Sequence, residues 1–140
     1  MGEKMIFEDH FFVESFMPRA MLHRMSEDEH NAYREPFKNG RTRAPILAFP
    51  RQIPGADGEP LFVSSRIAEY TENLEDADVK KLYLRFDPAM IGTISQERWI
   101  KENWPTTKIV YGGRSVHYAQ EDEPEAIARE INSWMEEEGL

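Results

Sequence analysis

The sequence predicts an α/β chain whose second half is a strand–helix–strand–helix unit. Three observations carry this. Leu82-Tyr83-Leu84-Arg85-Phe86 and Ile109-Val110-Tyr111 are short apolar runs of the kind that form buried strands. Between them, Ser95 to Asn103 reads as a helix with Trp99 and Ile100 turned inward, closed by Pro105. After them, Glu123 to Glu137 places Ile127, Ile131, Trp134 and Met135 on one helical face. A strand, a helix and a second strand imply a right-handed crossover and parallel pairing.

The first half reads as helical and proline-rich, with no clear strand. Met5 to Met17 holds the i, i+4 pairs Phe7–Phe11 and Phe12–Phe16, which predicts one amphipathic helix with an aromatic face, ended by Pro18. Ser26-Glu27-Asp28-Glu29 is a capping box that opens a helix running to about Tyr33, stopped by Pro36. Residues 36 to 60 hold five of the nine prolines and read as irregular chain with a short apolar piece at Pro45–Pro50. Pro60 suits a first helical turn, and Phe62, Ile67, Tyr70 and Leu74 follow at helical spacing to about Asn73. Two parallel strands do not make a sheet that stands alone, so the unit looks incomplete.

Composition narrows the function classes. The 140 residues, 40% apolar and 31% charged, describe one globular domain or part of a larger one. A net charge of −9 argues against nucleic acid and anionic membranes as partners. No run of about 18 apolar residues exists to span a bilayer. The start, MGEKMIFEDH, has neither a signal-peptide pattern nor Ser or Thr at the position a myristoylation signal needs. The absence of cysteine removes disulfides, thiolate catalysis and Cys-ligated metals, and fits a cytoplasmic protein.

The chemistry converges on His117. It lies in a loop after the second strand, where α/β enzymes keep catalytic groups, and imidazole exchanges protons near neutral pH. The alternative is an ordinary loop histidine. His10, His23 and His30 show no metal-ligand spacing and read as structural. Gly112-Gly113 is neither a phosphate loop nor a dinucleotide fingerprint, and no G-x-S-x-G elbow is present. Asp87, at the end of the neighbouring strand, has two open roles: orienting the imidazole, or capping a turn with Pro88.

Several motifs, in order, carry a resemblance: Phe11-Phe12-Val13-Glu14 with Pro18, Tyr33-Arg34-Glu35-Pro36-Phe37, Phe49-Pro50-Arg51-Gln52-Ile53-Pro54, and Val116-His117-Tyr118-Ala119-Gln120-Glu121-Asp122. The chain resembles the haloalkane dehalogenases and Renilla-type luciferases of the α/β-hydrolase superfamily, over their C-terminal half. The resemblance implies a helical cap at about 1–75 and the C-terminal part of the main domain at 76–140. It implies hydrolytic carbon–halogen cleavage through an aspartyl ester, with His117 as general base and no cofactor. The nucleophile would lie upstream of these residues, leaving the chain inactive alone. Phe12, Phe16, Phe49, Pro50, Ile53, Met90, Ile91 and Tyr118 would line a pocket for a small apolar substrate, a haloalkane or a luciferin-like molecule. Ala89, not Asp87, aligns with the family's alternative acid position. Ser115 also departs from the family's usual glycine. The other readings are a luciferin monooxygenase portion, and a non-catalytic module that self-associates or pairs with the N-terminal half of the same fold.

Overall fold

The structure is a computed structural model that describes residues 2–53 and 61–140. The expected role of Pro60 lies outside them. The chain divides into two compact units, Met1–Arg19 with Arg24–Tyr70, and Ala20–His23 with Thr71–Leu140.

The first unit is helical. Its expected opening helix is broken in two: α1 spans Glu3–Phe7, and helix resumes only after His10. His10 sits at φ 49°, in the left-handed region where an L-residue cannot continue a right-handed helix. Phe12–Phe16 then forms a π-helical turn, in which the Met17 N–H reaches back to the Phe12 carbonyl. Pro18 does not end this helix but sits inside its last turn, α2 (Met17–Arg19). The wider π turn just before it is a common accommodation where proline would clash with the preceding turn. Ile6, Val13, Met17, Ile46 and Leu47 are buried.

The capping box at Ser26 forms as expected. The Glu29 N–H donates to Ser26 Oγ at 3.3 Å, the Ser26 N–H donates to Glu29 at 2.6 Å, and α3 runs Glu27–Arg34. The stretch expected to be irregular is instead a chain of short turns. Two 3₁₀ turns, Glu35–Phe37 and Gly40–Arg43, lead into α4 (Ala44–Ala48), and another 3₁₀ turn covers Pro50–Gln52. The prolines here take first-turn positions, where a missing N–H costs nothing.

The 16-residue helix α5 (Leu61–Asp76) crosses the division. In the second unit, β1 (Lys81–Pro88) and β2 (Thr107–Ser115) pair in parallel around α6 (Ile94–Asn103), in the expected order. Gln96 accepts from the Gly92 and Thr93 N–H groups, both at 2.8 Å, and so fastens the start of α6. Ile100 is buried as expected, but Trp99 is 39% exposed.

Gly112 and Gly113 lie inside β2 rather than in the loop after it. The register slips there: Arg85 pairs with Tyr111 and Phe86 with Gly113, leaving Gly112 as the extra residue. A Cβ on Gly112 would lie 2.6 Å from the Phe86 ring, so the bulge lets that ring cover the strand. The acidic run Glu121-Asp122-Glu123 lies between two helices rather than at the start of one. Glu121 and Asp122 end the short α7 (Ala119–Asp122), and Pro124 starts α8 (Pro124–Glu138). Gly139, at φ 70°, closes α8 by donating to the Glu136 and Met135 carbonyls.

Candidate functional site

β2 delivers His117. Two residues beyond the strand's end, its imidazole is exposed, and Tyr118 stands edge-on to it with ring centroids 4.9 Å apart. Tyr118 is half-buried, and that burial pushes its phenol pKa up. The loop is held at its backbone. The His117 N–H donates to the Ala20 carbonyl at 3.1 Å, while Ser115 and Val116 accept from the Ala89 and Met90 N–H groups at 3.0 and 2.6 Å.

Asp122 closes the same loop from its far side. Its carboxylate is 2% exposed, a costly state for a charge unless donors surround it. Four donors do: Ser115 Oγ at 2.8 Å, the Leu22 N–H at 2.8 Å, and the His23 N–H and His23 Nδ1, both at 3.1 Å. Burial alone would raise its pKa. The bonds from His23, Ser115 and Leu22 outweigh this and hold it below the usual carboxylate value. Ser115 is thereby committed to Asp122. Glu123 turns back as well, accepting the Arg114 N–H at 3.0 Å.

Asp87 faces a different setting. It is 54% exposed and takes the Arg85 guanidinium at 2.7 Å. Arg85 also meets Glu97 at 3.1 Å and stacks over the Tyr111 ring at 4.9 Å.

The expected pocket residues fall on both units. In the first, Phe12, Phe49 and Pro50 line one open hollow of about 270 Å³ together with Phe37, Pro45 and Ile46. Phe16 stacks on Phe12 at 5.5 Å, and Ile53 is exposed. In the second, Ile91 lines a hollow of about 440 Å³ with Tyr83, Trp99 and Trp104, while Met90 is half-exposed.

The remaining histidines make structural bonds. His30 Nε2 lies 2.8 Å from the Val13 carbonyl, and His23 Nδ1 meets Asp122. Burial, with help from Arg43, pushes the His10 imidazole pKa down. Arg34 grips Glu14 at 2.7 and 2.9 Å, and that bond holds the Glu14 carboxyl below its usual range. Among the described residues, no group of three or more His, Cys, Asp or Glu is placed to hold a metal ion. None of their helices is long and apolar enough to cross a membrane.

Asp122 is the residue the sequence expectations missed. The signal available was an acid five residues after the histidine, but that acid was taken up in the start of a helix.

No protein-family model matches the chain. Curated relatives do. A haloalkane dehalogenase of Mesorhizobium japonicum is 34% identical over 98% of this chain and 44% of its own length. One of Mycolicibacterium smegmatis is 37% identical over 97% and 43%. The coelenterazine h 2-monooxygenase of Renilla reniformis is 33% identical over 96% and 43%. Among solved structures, the haloalkane dehalogenase DbeA of Bradyrhizobium elkani superposes with a TM-score of 0.90 at 33% identity, over 96% of this chain and 46% of that one. The chain thus spans about half the length of the curated relatives it matches.

A parallel strand pair of this kind, matched in this way, is the C-terminal part of an α/β-hydrolase fold. Over nearly all of its length the chain is similar to the haloalkane dehalogenases and to the Renilla monooxygenase.

Proposed function

We propose that this chain supplies the C-terminal part of a hydrolase that cleaves carbon–halogen bonds through an aspartyl ester, with His117 as general base. The observation that supports this reading is an exposed imidazole at the C-terminal end of a parallel strand, in a loop tied down at its backbone. In the first step a carboxylate oxygen attacks the carbon, and the carbon–halogen pair leaves as halide. In the second, His117 takes a proton from water as the water oxygen attacks the ester carbonyl. The alcohol departs and the carboxylate is restored. No residue of this chain is assigned the nucleophile's role, so the isolated chain is expected to release no halide.

Residues 1–75 act as the cap and residues 76–140 as part of the main domain. On the first, Phe12, Phe16, Phe49, Pro50 and Ile53 offer an apolar wall to a small substrate. On the second, Met90, Ile91 and Tyr118 belong to the loops that follow the strand ends. Ile131 and Met135 remain exposed on α8, which favours self-association of the isolated chain.

The test is a chimaera in which these residues replace the matching part of the Mycolicibacterium dehalogenase. It is expected to release bromide from a bromoalkane over many turnovers, and His117→Ala is expected to stop turnover. Sustained turnover by the His117→Ala chimaera would overturn the role of His117. A second reading is favoured by the Renilla monooxygenase, which matches this chain nearly as fully as the dehalogenases do. Light from coelenterazine h without halide release would select it.

A further inference from the structure

We infer that Asp122 is a positioning residue: its buried carboxylate clasps the ends of the His117 loop to the Ala20–His23 segment and so sets where the imidazole stands. The functional consequence rests on the reading of His117 as base; the clasp itself rests on geometry.

The loop runs from Ser115 to Asp122, and Asp122 binds its first residue directly through Ser115 Oγ. The same carboxylate accepts the N–H groups of Leu22 and His23. Inside this ring, the His117 N–H meets the carbonyl of Ala20, on the same short segment. One carboxylate therefore joins three pieces of chain around a single histidine. A carboxylate suits this task because it accepts several bonds at once, and charge-assisted bonds are the stronger kind. An alanine here would leave the buried Ser115 hydroxyl without its acceptor and take the same partner from the Leu22 and His23 N–H groups. The clasp thus constrains where the His117 side chain begins. Asp122 touches no reacting atom in this account.

The test is backbone hydrogen exchange by NMR on the 140-residue chain, together with the His117 Cε1–H shift. Tyr118 stands edge-on to that ring and gives it a ring-current signature. In Asp122→Ala, protection of the Leu22, His23 and His117 amides is expected to fall more than about tenfold, as local opening becomes easier. The β1 and β2 amides from Leu82 to Leu84 and Ile109 to Tyr111 are expected to change little. The His117 signal should move toward that of free histidine. Asp122→Asn keeps an acceptor for Leu22 and His23 and is expected to restore most of the protection. Ser115→Ala removes one donor and should lower protection of the His117 amide about threefold.

Unchanged protection and an unchanged His117 shift in Asp122→Ala would overturn the inference. So would a loss spread evenly over β2 and α8, which marks general destabilisation. Should Asp122→Ala fail to fold, an unchanged His117 amide and ring in Ser115→Ala would overturn it. The readout needs no turnover. Failure of the hydrolase reading would leave this result standing, and failure of the clasp would leave that reading standing.

Discussion

Two neighbouring parallel strands end in loops of opposite build. The end of β1 and the loop after it carry Asp87, Met90 and Ile91 at 54%, 51% and 66% exposure, and the acid is held by one arginine. The loop after β2 buries Asp122 at 2% exposure and surrounds it with four donors. The same residue type at comparable places thus does different work. An exposed ion pair contributes little, because water competes for both partners. A buried carboxylate that accepts several bonds is costly to disturb, because its charge and the buried Ser115 hydroxyl lose their partners together. The difference teaches which loop is built to hold a side chain in place, and that loop carries His117.

The largest test of the contrast is a pair of alanine variants. Asp122→Ala is expected to cost about 2 kcal/mol, since it leaves the buried Ser115 hydroxyl and the part-buried His23 groups without their acceptor. Asp87→Ala should stay within about 0.5 kcal/mol. Urea unfolding of both measures the gap, and similar losses would erase the contrast.

Next comes Gly113, at φ 125°, where an added Cβ would fall 2.6 Å from the Glu123 side chain. Gly113→Ala is expected to cost roughly 2 kcal/mol, from the strained backbone and the displaced Glu123–Arg114 bond. A thermal melt at wild-type temperature would remove Glu123 from the account.

The acid limb of stability sharpens the contrast further. The folded Asp122 carboxyl lies below its ordinary value of 3.8. A depressed folded value means that its contribution is present above about pH 4 and is lost as pH falls through the folded value. Wild type is therefore expected to lose stability below about pH 4 more steeply than Asp122→Asn. Urea midpoints between about pH 5 and pH 2 measure this, and parallel curves would contradict it. The smallest effect belongs to His117→Ala. The side chain is exposed, so stability should change by less than about 0.5 kcal/mol while turnover of the chimaera is lost.

The order of strands and helices in the second unit was legible because periodicity and proline punctuation are local signals. The Ser26 capping box was legible for the same reason. The break at His10 was not. The phenylalanine pairs on either side keep helical spacing, and spacing does not register a single left-handed residue. Gly112 and Gly113 follow the apolar run in the sequence, yet they lie within the strand, where their freedom serves a bulge and a close approach. Asp122 was legible as an acid near a helix start, but its role depends on the Leu22 N–H, one hundred residues away. His117 itself was found from its position after the strand and from the family resemblance. Its setting was not, because hydrogen bonds between distant segments leave no local pattern.

The most direct test of the central claim, that His117 activates the water of the second step, is intact-mass analysis of the His117→Ala chimaera after exposure to a bromoalkane. One alkyl adduct per chain, on an aspartate, is expected to accumulate with a matching single equivalent of bromide. Free alcohol forming at the wild-type rate, with no adduct, would contradict it.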